Sequence, residues 1–372
     1  MESSSPALDP HSDAVPRQRS ARRIAAWIAA LAFLFIFAVA LHEVVTYTVT
    51  YPRTRLHPDA GTEGSLRAYY LDWRGDWSDL ESLREAAREG VMETPRSLRV
   101  DGRLVPDPIG VIQGGLALHD QLLDDPSQAL RAQILHDQLD WLVDSAIWLP
   151  DSIPVWPCYW EAGEYGLKGP WISAMTQGQA ISLLARGASY FEDPSYLRLA
   201  GRALASLQDP SLPITRRTPE GEILFEEFPS SPPSLVLNGA LCTWLGIWDY
   251  WRATGSPDAR DLAMRTLEAM DRRVGQYEIG DWTRYDLLKT RPVSPTYQEI
   301  HAGLAEAIHS ITGEASWGDR ARRWRRAAER PETRIQVFFQ VLKAKIERIW
   351  SRTPVEPQPM PAGLGGPFGL HY

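Results

Sequence analysis

Two adjacent carboxylates, Glu226 and Glu227, stand between two phenylalanines in the stretch FEEFPSSPP, shortly before an apolar run that begins at Leu235. A carboxyl group in apolar surroundings has a raised pKa, which makes it a better proton donor or acceptor near neutral pH. An acidic loop before the capped start of a helix would give the same pattern without any chemistry. The stretch therefore marks a candidate acid–base group with a structural alternative.

Other side chains could bind a polar ligand. Gln177 and Gln179 flank Gly178 in MTQGQAIS, where amides could hold hydroxyl groups and the glycine could allow a close backbone approach. A helix interface would explain the same residues. Asn238, in an otherwise apolar helix, could face a cleft or a core neighbour. One loop also carries aromatic side chains that could stack on sugar rings or form a core within the loop. They are Trp156, Tyr159, Trp160, Tyr165 and Trp171.

The elements that must position these residues are mostly helical. From Gly114 onward, apolar residues recur at three- and four-residue spacing, which predicts helices. After a first segment in GGLALHDQLL, they span residues 127–148, 173–191, 194–207, 235–254, 257–277, 297–311, 316–329 and 333–350. Even lengths and short links predict antiparallel helical hairpins.

Three long loops rich in aromatic residues interrupt the helices, over residues 154–171, 210–233 and 277–295. Loops of this length in a compact domain are usually functional or disordered, and their aromatic content argues against disorder. Because they alternate with helix pairs, they could meet at one end of a helical ring and form the active face there. The alternative is that they only cover the helix ends. The predicted fold is mainly α, an (α/α) toroid of helical hairpins.

The N-terminus predicts a membrane anchor. Arginines up to Arg23 precede 18 uncharged residues from Ile24 to Leu41. That length is close to the minimum that spans ~30 Å of hydrocarbon at ~1.5 Å per residue. The arginines predict a cytoplasmic N-terminus and an exported body. A signal peptide cleaved near Ala38–Ala40 is the alternative, and it also exports the body.

The predicted organisation has six parts. They are a disordered cytoplasmic tail over 1–23, the anchor over 24–41, a small mixed α/β region over 42–110, a helical catalytic domain over 111–330, an amphipathic helix over 331–351 and a disordered tail over 352–372. The mixed region contains β-prone VVTYTVTY and a turn at Asp101–Gly102. The last helix is too charged to span a bilayer, so packing on the toroid and lying at the membrane surface both stay open. The tail is rich in Pro and Gly.

The composition limits the kinds of partner that the protein is expected to bind. A net charge of −8 and a pI near 5.6 argue against nucleic-acid binding, which needs clustered basic surface. The arginine run over 320–326 could attract a polyanion, although a solvated helix face is the commoner meaning. Cys158 and Cys242 give neither metal-ligand spacing nor a disulfide framework, and a single bridge between them stays open.

Three segments match a known family in order and spacing. Together they resemble the C-terminal domain of D-glucuronyl C5-epimerase, which inverts glucuronate to iduronate within heparosan and heparan chains. The segments are PWISAMTQGQAISLLARG (170–187), EEFPSSPPSLVLNG (226–239), and TRYDLL followed by PTYQEIHAG (283–303). The resemblance covers about residues 105–330. It implies an (α/α) toroid with a cleft, a smaller β-rich part before it, and a membrane-anchored, exported topology.

The resemblance also implies site residues. The family's acid falls on Glu227, and its two later tyrosines fall on Tyr285 and Tyr297. The family's tyrosine after the acid is replaced by Phe228, which has no hydroxyl to relay a proton. Leu288 stands where the family's Tyr-Asp-Leu-Arg run has arginine.

The lost arginine charge could be supplied by Arg284, Lys289 or Arg291. His301 also matches the family, four residues after Tyr297. It could act on substrate or hydrogen-bond a neighbouring loop.

Inversion at C5 of a uronate requires removal of a weakly acidic proton, stabilisation of the resulting charge, and return of a proton to the opposite face. A phenol, with a pKa of about 10 when unperturbed, suits this work. The predicted catalytic residues are Glu227, Tyr285 and Tyr297. The predicted substrate-binding residues are Gln177, Gln179, Phe228, Asn238, Arg284, His301, Tyr165 and Trp171.

This scheme needs no metal or redox cofactor. The expected partners are an acidic polysaccharide and the membrane, with no nucleic acid, and a homodimer is left open. One alternative is a uronate polysaccharide lyase, which abstracts the same proton and then expels the C4 substituent. Another is a glycan-binding relative without activity, suggested by Phe228 and Leu288.

Overall fold

The structure is a computed structural model that divides into two compact units, Met1–Tyr51 and Pro52–Tyr372. It describes residues 23–31, 33–35, 37–38, 42, 56–57, 66–75, 79–81, 83–84, 99–100, 103–104, 107–289, 291–350, 355–362 and 364. In the first unit, residues 23–31, 33–35 and 37–38 are helical and expose apolar side chains such as Trp27 and Phe35. Within the described ranges, no helix is both long and apolar enough to cross a membrane. The predicted anchor over 24–41 falls partly outside these ranges. Residues 1–22 of the predicted tail and the segment VVTYTVTY lie wholly outside them.

The second unit is mainly helical, as predicted. Its helices are α1 (Pro108–Asp124), α2 (Ala129–Ser145), α3 (Ala174–Tyr190), α4 (Pro194–Gln208), α5 (Leu237–Thr254), α6 (Pro257–Arg273), α7 (Pro295–Thr312), α8 (Ala315–Glu329) and α9 (Pro331–Trp350). Local sequence explains several ends. Proline starts α1, α4, α6 and α7, where its missing N–H costs no helical bond. Gly255 and Gly313 end α5 and α7 in the left-handed conformation, with φ of 71° and 75°.

The helices pack as a row of hairpins. The odd-numbered helices α1, α3, α5 and α7 lie side by side in chain order, and α2, α4, α6 and α8 each pack on the helix before them. The contact between α3 and α5 is backbone to backbone, because a Cβ on Gly178 would lie 2.5 Å from the Cα of Thr243. Gly246 faces the carbonyl of Gly178 even more closely. Closure of this row into a toroid stays a prediction.

Short antiparallel strand pairs shape the connections. The strands are β1 (Arg99–Val100), β2 (Arg103–Leu104), β3 (Ile147–Leu149), β4 (Ile153–Val155), β5 (Thr215–Arg217), β6 (Ile223–Phe225), β7 (Ser230–Ser231), β8 (Glu278–Ile279), β9 (Trp282–Thr283) and β10 (Glu356–Pro357). The pairs are β1–β2, β3–β4, β5–β6, β8–β9 and β7–β10. The β1–β2 pair brackets the turn predicted at 101–102. Except for β7–β10, each pair joins strands close together in the chain.

The boundary predicted at residue 110 does not divide the fold, because residues 66–73 lie against the helices. Tyr69 and Tyr70 are buried, and the Tyr70 hydroxyl donates to Asp249 Oδ1 at 2.7 Å. Arg186 forms a buried ion pair with Asp249 and donates from Nε to the carbonyl of Arg67 at 3.1 Å. An arginine buried with its carboxylate is stable only while its donors are satisfied. Residues 66–73 therefore belong to the helical unit.

The C-terminal region differs from its prediction in one part. Helix α9 occupies the predicted amphipathic segment, and Val337, Phe338 and Val341 are buried. The following tail is not wholly unstructured, because residues 356–357 form β10 and Leu364 is buried. Proline already restricts the backbone to extended conformations, so a Pro-rich segment loses little entropy when it docks.

The arginine run over 320–326 is largely neutralised within the fold. Arg320 and Arg323 lie beside Glu278, and Arg325 pairs with Glu306 at 2.7 Å. Internal pairing agrees with the solvated helix face rather than with a polyanion site. Cys158 and Cys242 are both buried free thiols.

Candidate active site

The three long loops contact one another at the end where α3, α5 and α7 begin. We name them loop A (154–171), loop B (210–233) and loop C (277–295). The amide of Ala174 donates to the carbonyl of Glu226 at 3.0 Å, which ties loop B to the start of α3. At the start of α5, the amide of Leu237 donates to the carbonyl of Tyr285 at 3.0 Å, which ties loop C there. The predicted meeting of the loops is therefore observed.

The two carboxylates of loop B have different surroundings. Glu226 is fully buried and forms an ion pair with Arg216. It also accepts from Ser234 Oγ at 2.7 Å and from the amide of Leu235 at 3.0 Å. Burial raises the pKa of Glu226, while Arg216 opposes that rise. These bonds hold the turn into α5, so Glu226 fits the structural interpretation of the acidic stretch.

Glu227 points to loop C instead. Its side chain is 3% exposed, and Oε1 accepts from the Tyr285 hydroxyl at 3.0 Å. Oε2 lies 3.5 Å from Nδ2 of Asn238, at the long limit of a hydrogen bond. The carboxylate fits in the first turn of α5 because residue 239 is glycine: a Cβ there would lie 2.4 Å from Oε2. Glu227 thus lies between the Tyr285 hydroxyl and the first turn of α5.

Tyr285 links the carboxylate to the second predicted tyrosine. Its ring lies edge to face with that of Tyr297, at 4.9 Å between centroids and 81° between planes. Burial, and then the nearby Glu227, raise the pKa of Tyr285 well above its ordinary value. Tyr285 is therefore a neutral phenol at ordinary pH. The structure brings all three predicted catalytic side chains together.

A second phenol–carboxylate pair lies beside the first. The Tyr165 hydroxyl of loop A donates to Asp286 Oδ2 at 2.7 Å, and Asp286 is fully buried. The Tyr165 ring stacks on Phe228, with 4.3 Å between centroids and 3° between planes. Lys289 Nζ lies 3.9 Å from the centroid of the same ring. Since Phe228 covers one face of the ring closely, we place the ammonium on the other.

Burial is the main cause of the pKa shifts of Asp286 and Lys289 beside this second pair. Burial raises the pKa of Asp286, and the neighbouring Lys289 opposes the rise. Burial lowers the pKa of Lys289, which Glu164 and Asp286 counteract. Lys289 and Arg291 both pair with Glu164. Of the three cations suggested as replacements for the arginine absent at Leu288, Lys289 and Arg291 are thus already engaged with loop A.

The aromatic set of loop A forms a core rather than an open stacking platform. Trp156 and Trp171 are almost fully buried, and Tyr159 and Tyr165 are nearly so. The Trp171 indole donates to the carbonyl of Trp160 at 2.8 Å. Of the five, Trp160 is the most accessible, and it packs edge to face on Trp171. The predicted substrate contacts of Tyr165 and Trp171 are corrected accordingly: both are buried and their rings pack against Phe228.

The glutamines of MTQGQAIS are also structural in this fold. Gln177 is buried and donates to the carbonyl of Pro154 and to Ser206 Oγ, each at 3.0 Å. Gln179 is buried, and its Oε1 accepts from Gln113 at 3.2 Å. With Gly178 used for helix packing, the segment fixes α3 against its neighbours. For Gln177, the helix-interface interpretation replaces the prediction that the amide binds a sugar hydroxyl. Nε2 of Gln179 has no hydrogen-bond partner in the described part of the chain, so its role in binding stays a prediction.

Two further predicted ligand contacts remain candidates. His301 is buried on α7, one turn after Tyr297, and its Nδ1 lies 2.7 Å from Thr283 Oγ1. Burial lowers the pKa of His301 to about 3, so the ring is neutral. Its Nε2 has no hydrogen-bond partner in the described part of the chain, and the same holds for Nε of Arg284. Both groups retain capacity to bind.

Sequence reasoning missed the roles of Gly239 and Asp286. Asp286 belongs to the YDLL match, but no spacing rule pairs it with Tyr165, which lies 121 positions away in the chain. Gly239 belongs to the LVLNG match, where glycine near a helix start has many explanations. Only the fold shows that it accommodates the Glu227 carboxylate.

The fold is thus a row of helical hairpins whose loops meet around two phenol–carboxylate pairs. Residues 150–326 match the family model for the D-glucuronyl C5-epimerase C-terminus. The predicted resemblance to this C-terminal domain is therefore confirmed over these residues. The match begins later than the residue 105 expected from the motifs.

Known relatives agree with that assignment. The chain is 31% identical over 208 residues to D-glucuronyl C5-epimerase of Caenorhabditis elegans, covering 50% of this chain and 33% of the relative. It is 27% identical over 176 residues to an uncharacterised protein of Methanocaldococcus jannaschii, covering 46% of this chain and 57% of the relative. The chain thus spans between a third and somewhat over half of these two relatives.

Solved structures give a weaker likeness. A family 76 glycoside hydrolase from a bovine Bacteroides thetaiotaomicron strain matches with a TM-score of 0.44 at 12% identity, covering 66% of this chain and 56% of that one. A family 76 mannosidase of Bacteroides thetaiotaomicron matches with a TM-score of 0.40 at 12% identity, covering 84% and 82%. Similarity this low does not bear on the details of the site.

Proposed function

We propose that this protein is a polysaccharide uronate C5-epimerase, which inverts D-glucuronate to L-iduronate within a heparosan-like chain. The observation that carries the proposal is the hydrogen bond from Tyr285 to the buried carboxylate of Glu227, at 3.0 Å, where the three loops meet. The family match supports the reaction class in coarse terms. The polymer and the stereochemical outcome are inferences from that class.

The chemistry requires a base and an acid on opposite faces of the sugar ring. Glu227, which accepts from Tyr285 beside the first turn of α5, is the group we assign to removal of the C5 proton. The electron pair left on C5 is delocalised into the substrate carboxylate, and nearby donors stabilise that charge. A phenol then gives its proton to C5 from the other face. Tyr297 is our candidate, because its ring lies 4.9 Å from that of Tyr285, beside the proposed base.

The missing phenol at Phe228 does not remove either carrier from this scheme. Phe228 and its stacking partner Tyr165 form an apolar wall beside Glu227. Arg284 is the cation we assign to the substrate carboxylate, since its Nε is unbonded in the described part of the chain. A fixed guanidinium would lower the cost of the charge that develops during proton removal.

The decisive experiment incubates the purified protein with heparosan in heavy water. Deuterium at C5 in intact chains, with iduronate formed, is the result expected of the epimerase. A new absorbance from a 4,5-double bond would identify a lyase instead. Binding without deuterium incorporation or bond cleavage would identify an inactive glycan-binding relative. Either of the latter outcomes overturns the proposal.

We also propose that the protein is anchored in a membrane through residues 24–41, with its body exported. The support is the arginine-rich segment followed by 18 uncharged residues. Protease treatment of intact cells tests this placement. Digestion of the body while an N-terminal tag survives is the expected result, and survival of both contradicts it.

A further inference from the structure

The C-terminal residues 355–362 and 364, which we name the C-terminal strap, lie against loop B. Strand β10 pairs antiparallel with β7, in the register Glu356 with Ser231 and Pro357 with Ser230. The amide of Gln358 donates to the carbonyl of Pro229 at 3.0 Å. Pro229 follows Glu227 and Phe228 directly, so the strap is bonded to the backbone that holds both side chains.

The strap also contacts loop A. Gly166 adopts the left-handed conformation, with φ of +70°, and a Cβ there would lie 2.7 Å from the carbonyl oxygen of Val355. The Tyr159 hydroxyl donates to the carbonyl of Leu364 at 3.3 Å, and the Leu364 side chain is 3% exposed. Gly166 directly follows Tyr165, the partner of Asp286. The strap therefore contacts both loop A and loop B, the two loops to which loop C is bonded.

A strap side chain joins the apolar wall of the site. Met360 packs against the cluster that contains Phe228, Tyr165 and Trp171. Tyr285 and Leu288 of loop C pack against the same cluster. The flexible thioether of methionine fills irregular gaps between such rings. Met360 thus lies in the wall behind the Glu227–Tyr285 pair.

Within its described residues, the strap has no hydrophobic core of its own, but its composition favours docking on the loops. Prolines at positions 357, 359 and 361 limit its unfolded conformations, so docking costs less entropy than for an ordinary segment. Loop B contains only short strands, and one of them, β7, is paired with β10 of the strap. A shift of about 1 Å at a catalytic group can cost about 100-fold in rate.

We propose that the C-terminal strap positions loops A and B and completes the wall of the active site, so that turnover of the polymer depends on it. The proposal rests on the proposed function for its kinetic part. The strap lies outside residues 150–326, so the family match does not account for it. Its residues act through Glu227 and Phe228 and are positioning residues.

Two truncations of the full chain test the proposal. One ends after residue 354 and lacks the strap, and the matched control ends after residue 364 and retains it. Amide hydrogen exchange of residues 226–236 and 159–167 is measured first, because it needs no activity. We expect faster exchange in the strap deletion and unchanged exchange in the control, with α6 unchanged in both.

Kinetics supply the second readout. For the strap deletion we expect kcat/KM with heparosan to fall by about 100-fold, mostly through kcat, and a peptide of residues 355–364 added in trans to restore part of it. A folded deletion variant whose loop exchange or kcat/KM equals that of the full chain overturns the proposal. If the full chain itself exchanges no C5 hydrogen, the proposed function fails, and loop exchange alone decides about the strap.

Single substitutions keep the test valid if the deletion does not fold. Met360→Ala removes the side chain from the wall, whereas Met360→Leu nearly conserves its volume. We expect a reduced kcat/KM for the alanine variant and recovery in the leucine variant. Equal kcat/KM in Met360→Ala and the full chain contradicts a role for this side chain in the wall.

Discussion

Tyr285 and Asp286 are adjacent in loop C, yet each is bonded to a different loop. The Tyr285 hydroxyl donates to Glu227 of loop B at 3.0 Å, and Asp286 accepts from Tyr165 of loop A at 2.7 Å. Two consecutive residues thus join all three loops. Any change that moves this dipeptide must disturb both phenol–carboxylate pairs. Substitutions in one pair should therefore also affect the other pair, so their effects on activity should not be independent.

The adjacent glutamates should separate catalysis from stability. Glu227→Gln removes the proposed base and should reduce C5 hydrogen exchange by at least about 100-fold, with little change in stability. Glu226→Gln, the matched control, breaks the ion pair with Arg216 and should lower the free energy of unfolding by about 1–3 kcal/mol. Deuterium incorporation and urea denaturation measure the two effects. Similar C5 exchange in Glu227→Gln and the parent would rule out the assigned base.

The two tyrosines should differ in what their removal changes. Tyr297→Phe removes the proposed donor to the second face, so proton abstraction should continue while epimerisation falls by about 100-fold. Tyr285→Phe removes the bond to Glu227 and should reduce both. Washout of C5 label and formation of iduronate are measured separately. Equal loss of both activities in Tyr297→Phe would contradict the division of roles.

Gly239 offers a test of the carboxylate's position. In Gly239→Ala the new Cβ would lie 2.4 Å from Glu227 Oε2, so the carboxylate must move. We expect C5 exchange to fall at least about tenfold, since catalytic groups tolerate little displacement. Gly275→Ala is the control, because nothing lies within 4 Å of a Cβ there. Parallel losses in both variants would mean that the effect is not local to Glu227.

Much of the fold follows from periodicity, because the helices repeat apolar residues at regular intervals and end at Pro, Ser or Gly. The helix predicted over 257–277 ends at Arg273, since a 3₁₀ turn over Val274–Tyr277 leads into β8. Local pattern cannot show where a 3₁₀ turn replaces the last helical turn. The ordered structure of the strap could not be predicted for a different reason. It depends on long-range contacts with Gly166 and Ser230, and amino-acid composition carries no information about such contacts.

The site was predictable where it depends on residue type and not where it depends on long-range pairing. The family pattern predicts Glu227, Tyr285 and Tyr297 as catalytic residues. The fold brings the three side chains together, and their catalytic roles stay a prediction. Gln177 was misjudged, because an amide satisfied by Pro154 and Ser206 looks, in sequence, like one available to a sugar. Tyr165 was assigned to stacking on substrate, whereas its ring stacks on Phe228.

His301 should make the fold sensitive to acid. Burial lowers its pKa from 6.5 to about 3, so below pH 6.5 the unfolded chain binds a proton that the folded chain does not. The stability contribution is complete above pH 6.5 and is lost as the pH falls toward 3, with a slope of up to about 1.4 kcal/mol per pH unit. His301→Gln should flatten this part of the profile, measured by urea denaturation.

The half-exposed His136 supplies a control for the acid effect. His136→Gln makes the same exchange of imidazole for amide at a half-exposed position, and its slope is measured beside that of His301→Gln. If His301→Gln retains the full acid sensitivity of the parent, other buried groups account for it. His119, whose pKa burial also lowers, would then be the next to test.

Phe228 permits a gain-of-function test, because a single oxygen separates it from the tyrosine of the resembled family. Phe228→Tyr puts a hydroxyl on the wall beside Glu227, within a ring stack that includes Tyr165 and Trp171. If position 228 faces the substrate, the new phenol should raise the C5 exchange rate by about tenfold, less than the roughly 10²–10⁴-fold effect of a fully placed general acid or base. A hydroxyl left unbonded in the stack would lower the free energy of unfolding by about 1–3 kcal/mol.

Tyr165→Phe, alone and combined with Phe228→Tyr, identifies where the new hydroxyl acts. Loss of the Tyr165 bond to Asp286 should lower the rate through displacement of loop C, and adding the phenol at 228 should not restore that bond. Because the rings of Tyr165 and Phe228 stack with 4.3 Å between centroids, the two changes should couple, and the gain from Phe228→Tyr should differ between the two backgrounds. A gain that appears only when Tyr165 is intact would mean that the hydroxyl works through Tyr165. Lower C5 exchange in Phe228→Tyr, at unchanged stability, would show that an apolar ring is required there and that this site has departed from the family's proton relay.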